Sequence, residues 1–148
     1  MTDKFKVITD MAVLMTWHNL HRGASSFMVL DWCTWAVNAG HVEYVYDGDE
    51  MIGFMDWVRS SYIPSNHDTD YQAIINSPAI DTGEIGIVLN CCVVRGKDTL
   101  RKLIKMARAK NETCQLMCWH DRKMSRMRYF SWHPHKSKGE ICSETVVC

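Results

Sequence analysis

Residues 84–110 join an apolar run to a basic amphipathic segment through one tight turn, and such a join demands a sheet with a helix packed on it. Glu84 to Val94 (EIGIVLNCCVV) is rich in β-branched and apolar residues without strict alternation, which predicts a central strand covered on both faces. Arg95-Gly96-Lys97 makes the turn, and Asp98 or Thr99 is placed to cap the helix that follows. Leu100, Leu103, Ile104 and Ala107 fall on one stripe of that helix, opposite Arg101, Lys102, Lys105, Arg108 and Lys110. A strand that feeds a helix N-terminus offers free backbone N–H groups at a positive dipole end, so the junction suits an anionic ligand.

On the N-terminal side, Lys4 to Trp17 reads as a helix with Phe5, Ile8, Met11, Ala12 and Met15 on its core face, stopped by Gly23. Ser25 or Ser26 caps a second helix, Phe27 to Asn38, which Gly40 ends. His41 to Tyr46 and Met51 to Arg59 flank the turn sequence Asp47-Gly48-Asp49-Glu50, which predicts a hairpin. Residues 60–83 are a long polar insert around a short helix, Tyr71 to Asn76. After the basic helix come a strand from Glu112 to His120, a short basic helix from Asp121 to Phe130 and a last strand from Glu140 to Val147. The order α α β β β α β α β predicts an α/β fold, a mixed central sheet flanked by helices in a single domain over residues 1–148.

With 148 residues and 47% hydrophobic content, the chain is long enough to bury a core. No run of about 18 apolar residues occurs, and MTDKFKVITD is not a basic segment followed by an apolar one, which predicts a cytoplasmic chain without a membrane span. Seven cysteines, several of them inside apolar runs, read as reduced core thiols. Cys118, His120, His133 and His135 follow none of the usual zinc spacings, so no metal is expected.

The net charge of zero conceals a division. Residues 1–94 carry 4 basic and 12 acidic side chains, whereas residues 95–138 carry 13 basic and 3 acidic. That asymmetry points to an acidic macromolecule as partner for the basic segment, or to an acidic face of the protein's own first half. Trp119, Tyr129, Phe130 and Trp132 among basic residues suit a nucleic acid, although no recognisable nucleic-acid motif occurs.

The element order, with Val94-Arg95-Gly96-Lys97-Asp98-Thr99-Leu100 at the strand-to-helix junction, resembles the GNAT acyltransferase superfamily, whose pattern there is R/Q-x-x-G-x-G/A. Arg95 and Gly96 fit a frequent opening, while Asp98 and Leu100 stand where the superfamily has small residues. A narrower resemblance is to the toxin-activating lysine acyltransferases of the hemolysin-activating type, which lack the glycine pattern and take a fatty acyl group from acyl carrier protein. It spans most of residues 17–132. Its carriers are Leu20-His21-Arg22, the hairpin Tyr44 to Trp57 with its exit Gly53-Phe54-Met55-Asp56-Trp57, Asp81-Thr82-Gly83 and the strand Ile87 to Val94.

The resemblance implies His21 as catalytic base, with Asn90 in the place of a catalytic aspartate. It implies an acyl donor, either an acyl carrier protein thioester or acyl-CoA, held near Val94, Arg95, Gly96, Lys97, Asp98 and Thr99. The docking face for an acidic carrier or protein substrate would be Arg101, Lys102, Lys105 and Arg108, with Arg122, Lys123 and Arg126. Cys91 and Cys92, in an apolar setting, read as core thiols and not as nucleophiles. The alternative is a GNAT-fold protein that has lost its chemistry and binds a protein or nucleic acid through its basic surface, as small bacteriophage proteins of virion or host-takeover type do.

Overall fold

The computed structural model describes residues 2–20, 24–61 and 83–114 with their side chains, and the backbone of 116–121 and 126–131. In chain order these residues form α1 (Lys4–Trp17), α2 (Ser26–Ala39), β1 (Val42–Asp47), β2 (Glu50–Ser60), β3 (Ile85–Val93), α3 (Thr99–Lys110), β4 (Leu116–Asp121) and β5 (Arg126–Ser131). The protein is therefore α/β. It divides into two compact units, one of Met1–Asp56 with Asn90–Ala107 and one of Trp57–Leu89 with Arg108–Cys148. Strands β2 and β3 and helix α3 each contribute to both.

In the first unit, both N-terminal helices begin and end by the same devices. Asp3 caps α1 by accepting from the Phe5 N–H at 3.3 Å, and Ser25 caps α2 by accepting from the Met28 N–H at 3.3 Å. At its C-terminal end α1 closes with Asn19 at φ 56, the Leu20 N–H donating to the Met15 carbonyl at 2.8 Å. In α2 the matching positions are Gly40 at φ 72 and the His41 N–H donating to the Ala36 carbonyl at 2.9 Å. Both endings are Schellman motifs. The stop of α1 is thus Asn19, four residues before the expected Gly23, because asparagine is among the few side chains that tolerate the left-handed conformation. Residues 21–23 lie outside the described residues.

The core of this unit joins Val7, Met11 and Met15 of α1 to Val29, Cys33 and Ala36 of α2 and to Val42, Met51, Phe54 and Cys92. Met11 and Met15 face inward as expected, but Phe5 is 74% exposed and Val7 takes the buried place. α1 is apolar on most sides, so its period selects no single face. The β1–β2 hairpin pairs Asp47 with Glu50 across the two-residue loop Gly48-Asp49, with a bulge where Val45 pairs Gly53 and Tyr46 pairs Met51. Met51 to Val58 of β2 are all buried. Gly53 admits α3 against this strand: a Cβ there would lie 2.7 Å from Thr99 Cγ2 and 3.0 Å from the Cys92 carbonyl oxygen.

The strands follow the order β1-β2-β3-β4-β5 in one sheet, so β3 is an inner strand, as its sequence predicts. Its N-terminal half is covered on both faces, whereas Cys91 and Val93 are exposed. In the second unit β3 pairs in parallel with β4, Ile85 with Leu116 through Val88 with Trp119. β4 then pairs antiparallel with β5, Leu116 with Ser131 through Asp121 with Arg126.

That pairing overturns the short basic helix expected over 121–130. Arg126-Met127-Arg128-Tyr129 alternates polar and apolar residues at the strand period of two, and pairing with β4 ties its backbone into the sheet, whereas so short a helix is marginal by itself. The expected strand over 112–120 begins only at Leu116, since residues 111–113 form a turn closing α3. There Arg59 donates to Asn111 Oδ1 at 3.1 Å and to the Lys110 carbonyl at 3.0 Å, placing a cation on the negative helix end. The insert 62–82 with its Tyr71–Asn76 helix and the strand 140–147 lie outside the described residues. No helix among the described residues is long and apolar enough to cross a membrane.

Candidate functional site

Within the long buried stretch of β2 stands one charged residue, Asp56, with 0% of its surface exposed. A carboxylate removed from water costs several kcal/mol unless donors replace its hydration. Asn90, 8% exposed on β3, supplies both its backbone N–H, 3.0 Å from Asp56 Oδ1, and its side-chain Nδ2, 3.0 Å from each carboxylate oxygen. Trp32 of α2 donates its indole Nε1–H to Asp56 Oδ2 at 3.0 Å. The carboxylate is thus gripped from a neighbouring strand and from a helix lying over the sheet. Hydrogen bonds to a charged acceptor contribute about 1.5–3 kcal/mol each, enough together to offset burial.

Aromatic rings wall this junction. Trp35 lies one turn beyond Trp32, with ring centroids 4.9 Å apart at 33°, and meets His41 edge to face at 5.1 Å. His41 is buried at the foot of β1. Cys33, between the two tryptophans in sequence, packs its Sγ 3.6 Å from Met15 Sδ. Burial, and then the nearby Asp56 charge, push its thiol up to about 12, so it stays protonated and inert at neutral pH. Burial likewise raises Cys92, whereas Cys91 faces solvent, against the expectation of a core thiol.

Asn90 is the one predicted catalytic position whose surroundings are described; His21 lies outside the described residues. Asp56 was visible in the sequence only as part of the hairpin exit, and Trp32 not at all. A lone aspartate inside MIGFMDWV was the available signal, since a charge in such a run is rarely buried without a task.

The strand-to-helix junction is differently built. Arg95 donates to Glu50 Oε2 at 2.7 Å and to Asp47 Oδ2 at 3.0 Å, the two strand-end residues that flank the hairpin loop. Gly96 takes φ 97, and any Cβ there would collide with the Thr99 hydroxyl. Thr99 is buried and its hydroxyl donates to the Arg95 carbonyl at 2.7 Å, while its N–H donates to the Gly96 carbonyl at 3.3 Å. Val94, Lys97 and Asp98 are exposed. The turn is held by its own side chains and by the acidic hairpin loop.

On α3 the buried stripe is Thr99, Leu103 and Ala107, so Leu100, expected in the core, is exposed. Arg101, Lys102 and Lys105 are exposed, Arg101 lying 3.8 Å from Asp98, and Arg108 is half-buried. Of the other basic positions, Arg126 lies on β5, and Arg122 and Lys123 are outside the described residues. The chain matches no known family model, and no curated protein matches it.

Proposed function

We propose that the protein is a GNAT-like acyltransferase that moves an acyl group from a thioester carrier to an amine, a protein lysine being the acceptor class. The observation that supports this reading is the Asn90–Asp56 pair. Asn90 replaces the aspartate of the family it resembles, yet its amide donates to a full carboxylate at 3.0 Å. With Nδ2 given to Asp56, the Asn90 carbonyl is the end that would accept from an imidazole N–H, and Asp56 would supply the negative field behind it.

In this reading His21 takes the proton of the attacking amine. The amine nitrogen forms a bond to the thioester carbonyl carbon, the C–S bond breaks, and the proton passes from His21 to the leaving sulfur. The products are an amide and a free carrier thiol. Arg101, Lys102 and Lys105, all exposed, would dock an acidic carrier protein.

A second reading, binding without catalysis, is favoured by the junction. Arg95, the cation best placed for a phosphate, is committed to Asp47 and Glu50. Intact mass spectrometry separates the two. A lysine-bearing acceptor that gains the acyl mass from acyl carrier protein, with loss of about a hundredfold in rate for His21→Ala, upholds transfer. No mass gain from either acyl carrier protein or acyl-CoA, with a retained carrier complex, leaves the binding reading.

A further inference from the structure

Beside the β1–β2 loop, in the first unit, lies a groove of about 620 Å³ between that loop and the C-terminal half of α1. Its size falls in the range of sites that take a side chain or a small ligand. One wall is apolar, with Val13, Trp17 and Val94, and Trp17 is 82% exposed. Val13 and Trp17, four residues apart on α1, are neighbours on one side of its C-terminal half and both are exposed. The opposite rim is acidic, with Asp47, Asp49 and Glu50.

The charges on this rim do not cancel. Asp10, which also lines the groove, is paired with Lys6 at 2.7 Å and accepts from the Tyr46 hydroxyl at 2.6 Å. Arg95 alone serves both Asp47 and Glu50, and the Asp49 carboxylate makes no ion pair among the described residues, although Lys6 Nζ donates to the Asp49 backbone carbonyl at 2.9 Å. Four carboxylates therefore face two cations, an excess of two negative charges beside a bare indole.

We infer that this groove docks a basic amphipathic segment of a partner protein, its lysines or arginines on the acidic rim and its apolar side chains along Val13 and Trp17. A cation held over the Trp17 ring would gain further attraction from the ring face. The acidic rim disfavours nucleic acid and acidic peptides, and the exposed tryptophan gives the contact an apolar anchor of the kind that dominates binding energies. The inference does not depend on acyl transfer.

The test is fluorescence polarisation with no acyl donor present, using a labelled synthetic amphipathic peptide of lysine, leucine and alanine, and its counterpart with glutamate for lysine. The basic peptide should bind saturably, weaken as salt rises, and lose about tenfold or more in affinity to Trp17→Ala and to Asp49→Lys. The acidic peptide should not bind. Both altered side chains are exposed, and thermal melts of both variants should match the parent. Failure of the basic peptide to saturate, or equal binding by both folded variants, would overturn the inference. So would sedimentation velocity showing self-association that Trp17→Ala abolishes while no peptide binds, because the groove would then belong to a second copy.

Discussion

Asp56 and Arg95 are each held by more than one partner, yet the two arrangements answer to different physics. Asp56 is sealed in the first unit and held by neutral donors, the Asn90 amide groups and the Trp32 indole. Arg95 stands half in water between two carboxylates at the hairpin's strand ends, where solvent screens the attraction. Arg95 meets opposite charges, but dependence on the partners is greater around Asp56, since no water waits to replace them. A charge inside a sheet constrains the fold far more than a charge pair on its rim.

The largest break in this contrast is Asp56→Ala. It leaves the Trp32 indole N–H and the Asn90 donors facing a void and should cost about 3–5 kcal/mol in urea unfolding. Next comes the pH dependence of Cys33, whose thiol is raised first by burial and then by the Asp56 charge. Its thiol titrates near 9.0 when unfolded and about 12 when folded, so the folded state binds more protons between these values. Stability should therefore fall as pH rises from about 9 to 12, by an amount on the order of a few kcal/mol, and Cys33→Ala should flatten that slope.

Gly53→Ala follows, at about 1–3 kcal/mol, because the added methyl meets Thr99 and the Cys92 backbone and α3 must shift. Smallest is Arg95→Ala. Its melting midpoint should stay close to the parent's, and what difference there is should vanish in high salt. A loss from Arg95→Ala as large as that from Asp56→Ala would erase the contrast.

Most element limits were legible because they are written in local chemistry. Ser25, Gly40 and the Gly48-Asp49 loop each act within a few residues of their own position, and α2 and the hairpin appear where those residues predict. What failed was information that resides elsewhere in the chain. Phe5 looked buried until Val7 took the core face, and 126–130 read as part of a helix until β4 offered it a ladder. Of the buried cluster around Asp56, the sequence singled out one member. Asn90 could be singled out by resemblance, but its tie to Asp56 spans 34 residues and that from Trp32 to Asp56 spans 24, distances that no local pattern encodes.

The claim at the centre of this account is that Asp56 and Asn90 act as one buried unit. A double-mutant cycle measures it directly, comparing urea unfolding of Asp56→Ala, Asn90→Ala and the pair. The account predicts that the double variant loses about 2 kcal/mol less than the sum of the single losses, because either substitution alone already breaks the shared hydrogen bonds. Losses that add to within about 0.5 kcal/mol would contradict it.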